Sequence, residues 1–507
     1  MRLFSKHKDL RRAFFTPLIA LPLVCGVPSA HATTCGEICP GTGACSFNDL
    51  RAVTAGSVLD CSGRDITIEG LGNLKVVDGS LTLIARNLTV DGTTAASGTI
   101  TAVEGPLGIP GTLNLQLTGW LNLAGKLRAN GTKRGGIIKL YAQGNITLTD
   151  IGSDGIEALG TSLTAEGGQI YVNTEGSLAI SDPILADGGG GADAAGGRID
   201  IHANGNITTD TDGHISAYGR GGGGGEISVS AKGNVVLYEH LKAEGIGSAG
   251  DGGSVFVTAG QGITVANEIS VMGGVGVSNA TAVAGSVELT AGCGGVALNS
   301  SIRATGGQIS AGDNGGSIAI QSGGPITVSA GVTLDAHALS ADGDGGAIDL
   351  AADSLITVAG TAVLNASGGS TSGTGGAVLV RGCRLNVASG ATLNATGFNG
   401  GDVRLGSTKL PSTGTSPLVV SSSAQVHAAG ATAGTAGFIG VMPIRMKSGA
   451  CSNNGDCQLN TDCTHGCETG TCSTATPDTA GVTTQFDVAI ERADDPSLPS
   501  CSTACGQ

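Results

Sequence analysis

The sequence is poor in aromatic residues and in positive charge. Tryptophan, tyrosine and phenylalanine make up 3% of the 507 residues. Sugar rings usually stack on aromatic side chains, so this scarcity argues against an enzyme that grips a polysaccharide at many subsites. The 26 basic residues are outnumbered by 41 acidic ones, which gives a net charge of −15. This balance argues against binding to nucleic acids or anionic membranes, since both require a basic surface.

Long apolar runs are also missing, except near the start of the chain. Residues 1–32 combine a basic beginning with an apolar run from Ala13 to Val27, followed by the small residues Ala30 and Ala32. This pattern predicts a signal peptide that is cleaved after Ala32. The run is shorter than the roughly 20 residues that a membrane-spanning helix needs. We therefore expect a protein that is secreted or displayed on the outer surface of a bacterium, with no membrane span after signal removal.

Glycine, by contrast, is abundant and regularly placed. The 89 glycines include a recurring small pair followed by alternating apolar and polar residues, as in 196–201 and 224–229. The motif returns about every 30 residues, a period typical of solenoids. The second residue of the pair falls at Gly136, Gly168, Gly197, Gly225, Gly253, Gly285, Gly316, Gly346, Gly376 and Gly401.

Each copy of the motif contains three short segments in which apolar and polar residues alternate. Alternation with period two predicts strands with one apolar face. Three strands and three turns form a coil, and each coil buries the apolar face that its neighbour cannot bury alone. We therefore predict an all-β fold, a single-stranded right-handed parallel β-helix of about 12 coils of roughly 30 residues. Two degenerate coils near Gly79 and Gly111 are included in this number.

The segments around the repeats complete the predicted organisation. Residues 33–78 form an N-terminal cap, in which Ser46–Val53 is expected to make one or two amphipathic helical turns that plug the open coil end. The β-helix spans 79–410, residues 411–450 are Ser/Thr/Ala/Gly-rich final coils or a linker, and 451–507 form a Cys-rich C-terminal module. Cysteines cluster at both ends, which is typical of disulfides in an oxidising compartment. The disulfide candidates are Cys35, Cys39, Cys45, Cys61, Cys451, Cys457, Cys463, Cys467, Cys472, Cys501 and Cys505.

The repeats resemble those of filamentous-haemagglutinin-type adhesins, which are bacterial β-helices of the pectin-lyase-like superfold. The similarity is carried by segments such as GNITLT at 144–149 and GGSIAI at 315–320, and it covers about residues 79–405. Together with the predicted signal peptide, the Cys-rich ends and the lack of a catalytic cluster, the regular repeat favours a secreted or cell-surface structural or adhesive protein that binds a surface, a matrix component or a glycan. Self-association through the same faces is a further expectation.

Polar side chains concentrate on the outward positions of the first strand in four adjacent copies. The binding candidates are Tyr141, Tyr171, Arg198, Asp200, His202 and Glu226, with Lys139, Gln169 and Asn173 beside them. Successive coils of a β-helix lie about 4.8 Å apart, so these side chains are expected to form one surface. Sugar binding is one interpretation, and an ordinary solvent face of cross-strand pairs is the other.

Two functional hypotheses remain open. The first is a non-enzymatic adhesive or structural protein. The alternative is a pectate-lyase-like polysaccharide lyase or glycoside hydrolase, in which Asp200 and Glu226 form an acid–base pair assisted by His202. We expect no cofactor; for Asp342, Asp344 and Asp349, calcium binding is one interpretation and exposed loop acids are the other.

One turn of each coil carries a further pattern. Gly-Asn pairs occur at 144–145, 205–206 and 233–234. They predict a turn with left-handed backbone in which asparagine side chains stack as a ladder.

Overall fold

The computed structural model describes residues 33–443, with gaps at 93–97, 150–154, 192, 247–249, 275–281, 308–311, 408–417, 432–434 and 436. The predicted signal peptide and the Cys-rich module with its seven cysteines lie outside the described residues. The described chain is an all-β, right-handed parallel solenoid with almost no helix, which confirms the predicted fold. None of its helices is long and apolar enough to cross a membrane.

Each coil contributes three strands, which stack into three flat faces. First and second strands belong to one 24-stranded sheet, and third strands form a 14-stranded sheet. We call the stack of first strands the first face, the stack of second strands the second face and the stack of third strands the third face. The third face has 14 strands because the cap and the segment after residue 410 also contribute strands in register.

The strands have the following bounds. First-face strands are Thr112–Leu117, Ile137–Ala142, Gln169–Thr174, Arg198–Ala203, Glu226–Ala231, Ser254–Ala259, Ser286–Ala291, Ser317–Ser322, Asp402–Ser407 and Phe438–Pro443. Second-face strands are Cys45–Phe47, Leu121–Leu123, Ile146–Leu148, Leu178–Ile180, Ile207–Thr209, Val235–Leu237, Gly262–Val265, Gly295–Leu298, Ile326–Val328 and Leu418–Val420. Long strands that pass from the first face to the second are Ser57–Ile68, Ser80–Val90, Ala347–Val358 and Ala377–Val387. Third-face strands are Leu50–Val53, Asn73–Val77, Thr99–Val103, Lys126–Arg128, Ile156–Glu157, Ile184–Leu185, Ile215–Ser216, Leu241–Lys242, Ile269–Ser270, Ile302–Arg303, Thr333–Asp335, Val363–Asn365, Thr392–Asn394 and Gln425–His427.

The core is a continuous column of aliphatic side chains inside the coils. In the strand Arg198–Ala203, Ile199, Ile201 and Ala203 are buried, and the residues between them face outward. Parallel register aligns Ile199 with Ile227 and Ile201 with Val229 of the next coil, so aliphatic side chains stack along the axis. A buried Ile or Leu contributes about 1.5–3 kcal/mol relative to an exposed one, and this contribution recurs in every coil. The interior is therefore filled by packing side chains.

Paired glycines are required where the third face meets the first. The backbone N–H of Gly197 donates to the carbonyl of Ala186 at 2.7 Å, so the intervening loop is pinched at its base. A Cβ atom on Gly197 would lie 2.0 Å from the carbonyl oxygen of Gly168 in the preceding coil. No larger residue fits there. The pinched loops of successive coils pair with one another, for example Gly219 with Gly245, and we call them the stacked loops.

The N-terminal cap differs from the prediction. The helix is Cys35–Ile38, with Thr34 at its N-cap and the Glu37 carboxylate accepting the Thr34 N–H at 2.9 Å. The helix predicted at Ser46–Val53 is wrong, because this segment lies in strands of the second and third faces. Its buried residues alternate with exposed ones at Cys45–Phe47, which is strand periodicity. Two disulfides, Cys35–Cys61 and Cys39–Cys45, fasten the helix to the first coils.

The turn between the first and second faces contains the expected asparagine ladder. The Asn206 side-chain oxygen accepts the backbone N–H of Asn234 at 2.8 Å, and the Asn234 oxygen accepts that of Gly262 at 3.1 Å. The predicted left-handed backbone is wrong, since Gly144, Gly205 and Gly233 do not have positive φ. Glycine is needed for space instead: a Cβ on Gly233 would lie 2.2 Å from the Asn206 oxygen.

Candidate functional site

The polar residues of the first face are brought together by strand register. Tyr171 lies between Lys139 and Asp200 on the neighbouring coils, and Arg198 lies beside Glu226. The same register puts Tyr141 next to Asn173, and Asn173 next to His202. All of these side chains point outward, because the residues that alternate with them are buried in the core. The candidates therefore form one continuous surface, which we call the first-face strip.

Arg198 is the centre of this strip. Its Nε atom lies 2.7 Å from Asp200 Oδ2, its Nη2 lies 3.2 Å from Asp200 Oδ1, and its Nη1 lies 3.0 Å from Glu226 Oε1. The hydrogen bond to Asp200 is the main cause that raises the pKa of Arg198, and both carboxylates add to it. One guanidinium thus holds two carboxylates in fixed positions. The side chain of Arg198 is 44% exposed, so the strip remains accessible to a ligand.

The two tyrosines of the strip are held as neutral hydrogen-bonding groups. Burial raises the pKa of Tyr171, whose hydroxyl donates to Gln169 Oε1 at 3.0 Å. The hydrogen bond from the Tyr141 hydroxyl to Glu175 Oε1, at 2.6 Å, raises the pKa of Tyr141. Each phenol offers a flat ring and a polar edge, a combination that suits hydroxyl-rich ligands.

The strip contains the two carboxyl groups considered for acid–base catalysis, Asp200 and Glu226. Acid–base hydrolysis of a glycoside needs one carboxyl that keeps its proton and one that is ionised. Asp200 and Glu226 both contact the guanidinium of Arg198, so the two carboxyl groups have the same cationic partner. The strip presents a guanidinium, two carboxylates, two phenols and the half-buried His202. Together these groups can donate and accept hydrogen bonds to a ligand that carries a row of hydroxyl groups.

A second polar cluster lies on the third face, and the sequence reasoning missed it. Asp187 Oδ1 accepts the Ser216 hydroxyl at 2.6 Å and the backbone N–H of Tyr218 at 2.8 Å. Burial raises the pKa of Asp187, and burial together with Glu244 raises that of Tyr218. Glu244 itself is only 8% exposed. These groups join the stacked loops to the third face, so their contacts explain them as structural residues.

Two histidines continue this cluster towards the second face. The rings of His214 and His240 stack with centroids 4.9 Å apart. Burial is the main cause that lowers the pKa of His240, and the nearby charges of Lys242 and His214 add to it. Glu239 opposes the shift through a contact of 2.9 Å with His240 Nδ1.

The three acids considered for calcium have different protein partners. Asp349 lies on the first face and pairs with Arg381 Nη2 at 2.6 Å. Asp342 and Asp344 lie in a stacked loop, where Asp342 accepts the backbone N–H of Gly312 at 3.2 Å and Asp344 accepts one at 2.8 Å. Within the described ranges, no three or more His, Cys, Asp and Glu side chains are grouped to hold a metal ion. Calcium binding here stays an untested expectation.

Comparison with known proteins adds nothing to these contacts. No protein-family model, curated protein or solved structure matches the chain. Of what the resemblance to adhesin repeats implies, the parallel β-solenoid is the part that the structure bears out. Function has to be argued from the residues of the site.

Proposed function

We propose that the chain is an exported, non-enzymatic β-solenoid that binds an extended glycan of a cell surface or matrix through the first-face strip. The observation that carries the proposal is the alignment of Tyr141, Tyr171, Arg198, Asp200 and Glu226 on adjacent coils. Successive coils repeat about every 4.8 Å, so the strip repeats its polar contacts along the direction in which a polymer would lie. A polymer that touches several coils at once gains affinity from many weak contacts.

Rigid positioning supports binding by this strip. Arg198 is fixed by both Asp200 and Glu226, so little side-chain freedom remains to be lost when a ligand arrives. Immobilising a long side chain otherwise costs about 0.5–1.5 kcal/mol on binding. A guanidinium that is already fixed between two carboxylates can donate hydrogen bonds to a sugar hydroxyl without this cost.

Export is supported by two features of the N-terminal part of the chain. Residues 1–32 have the pattern of a signal peptide, and the two disulfides of the cap, Cys35–Cys61 and Cys39–Cys45, suit an oxidising environment. The acidic balance of the chain favours a neutral glycan over an anionic polymer.

Co-sedimentation of the full chain with insoluble β-glucan, xylan and chitin tests the proposal. The expected result is binding to at least one polymer that Arg198→Ala weakens about tenfold, as expected for losing a charge-assisted contact. Arg303→Ala is the matched control: this arginine lies on the third face, is 48% exposed and pairs with Glu268 at 3.6 Å. Equal loss in both variants, or no binding by the parent chain, would overturn the proposal.

A further inference from the structure

The turn that leads into the second face contains an exposed tryptophan in a column where several coils have Asn or Ser. Register aligns Trp120 with Asn87 on one side and Asn145 on the other, in the column of the asparagine ladder. The Asn87 and Asn145 oxygens accept backbone N–H groups of Trp120 and Ser177, both at 2.9 Å. Trp120 interrupts this ladder. It is the only tryptophan of the chain, and 44% of it is exposed.

The backbone around Trp120 is fixed, so the ring stands on a rigid support. The backbone N–H of Trp120 donates to Asn87 Oδ1, and the backbone carbonyl of Trp120 accepts the N–H of Leu88 at 3.1 Å. A Cβ atom on Gly119 would lie 1.9 Å from the Asn87 oxygen, so only glycine fits directly before the ring. Local rules of a repeat are expected to be broken where function requires it. An indole that is 44% exposed leaves much of its ring surface open to a ligand.

An open depression of about 500 Å³ lies beside the ring. Its polar lining consists of Asn122, Gln143, Asn145 and Thr147, and no charged side chain lines it. Gly119, Gly144 and Gly176 lie among the lining residues, and their lack of side chains keeps the depression open. A flat aromatic ring next to uncharged amides and a hydroxyl matches the apolar face and the hydroxyl edge of a sugar ring.

The depression continues towards the first-face strip. Gln143, which lines the depression, follows Tyr141 of the strip by two residues, and it lies close enough to the Tyr141 hydroxyl to affect its pKa. A glycan that extends from the strip beyond Tyr141 would therefore reach the depression beside Trp120. Tyr141 and Trp120 thus lie on neighbouring coils, and Gln143 lines the depression beside Trp120.

We propose that Trp120 and the depression beside it form a subsite for a ring of an uncharged polysaccharide, which stacks on the indole and hydrogen-bonds to Asn122, Gln143, Asn145 and Thr147. This subsite extends the binding function proposed for the first-face strip and rests on it for the choice of a glycan. The uncharged lining selects neutral sugars over uronic acids, because neither acids nor bases are present to pair with a charge.

The single tryptophan makes the subsite directly observable. The full chain is titrated with cellohexaose, xylohexaose, mannohexaose and chitohexaose while the indole emission is followed. A saturable change in emission with at least one of these sugars is expected, with no change on addition of hexagalacturonate. Absence of a saturable change with all four neutral sugars would overturn the proposal.

Trp120→Asn is the informative variant because it restores the residue type of the ladder and should fold at least as stably as the parent. Co-sedimentation with the polysaccharide that the parent chain binds is expected to weaken about tenfold, as for the loss of one stacked ring. If Arg198→Ala weakens binding and Trp120→Asn does not, the subsite is refuted while the first-face function stands. If only Trp120→Asn weakens binding, the subsite stands and the first-face function fails.

Discussion

The glycine pair at each coil corner provides the sharpest prediction about the fold. Gly197→Ala puts a Cβ atom 2.0 Å from the Gly168 carbonyl oxygen, so the two coils have to separate by more than 1 Å to reach ordinary contact of about 3.4 Å. The hydrogen bond from the Arg198 N–H to the same oxygen, now 2.9 Å, would be stretched by this movement. Overpacking costs about 1–3 kcal/mol and a lost backbone hydrogen bond about 1 kcal/mol. We expect a loss of about 3 kcal/mol in the free energy of unfolding.

Urea unfolding followed by the circular dichroism of the strands measures this loss. Gly190→Ala is the matched control, because its Cβ atom would have Leu163 Cδ2 as nearest neighbour at 3.7 Å. This control should change stability by no more than about 1 kcal/mol, in either direction. If the two variants unfold at the same urea concentration, the steric account of the paired glycines is wrong.

Two further predictions concern the third face and the cap. Burial raises the pKa of Asp187, so the folded chain keeps this proton to higher pH than the unfolded chain, and stability falls as pH rises from about 4 through the raised value. Asp187→Asn keeps an oxygen acceptor for Ser216 and should reduce this loss of stability with rising pH. The free energy of unfolding of parent and variant, measured at pH 4 and pH 7, tests this prediction. An equal change in stability between the two pH values in both proteins would contradict it. Replacing Cys35 and Cys61 by serine removes a disulfide that spans 26 residues. The unfolded chain then gains conformational entropy, so the cap should lose about 3.5 kcal/mol of stability. Hydrogen exchange of the backbone amides in the first coils measures this loss. Equal protection in the parent and the variant would count against that role of the disulfide.

The architecture could be predicted from the sequence because it repeats. Alternation in segments such as Arg198–Ala203 fixes which side chains face the core, and the return of the motif in Glu226–Ala231 fixes how coils stack. Ten copies average out local irregularities that would mislead a single strand assignment. The cap does not repeat, and there the helix predicted at Ser46–Val53 turned out to be strand.

The candidate site could be predicted only in part. Outward positions on the first face follow from period two, so the neighbours of Tyr171 and Arg198 could be named from the motif alone. Pairing of Arg198 with both carboxylates depends on side-chain conformation, which alternation does not determine. Burial of Asp187 and Glu244 depends on the stacked loops, whose course is set by the hydrogen bond between Gly197 and Ala186. The period of about 30 residues does not indicate which residues form the hydrogen bond at the base of each stacked loop.

The distinction between an arginine that fixes two carboxylates and an acid–base pair is the central functional claim. The most direct test incubates the full chain with the polysaccharide that it binds and measures, in one sample, the bound fraction and the release of soluble reducing or unsaturated ends. We predict binding that saturates, with no release above the level of a heat-denatured control. Release that is abolished by Asp200→Asn or Glu226→Gln, while binding persists, would contradict the account and make the first-face strip an active site.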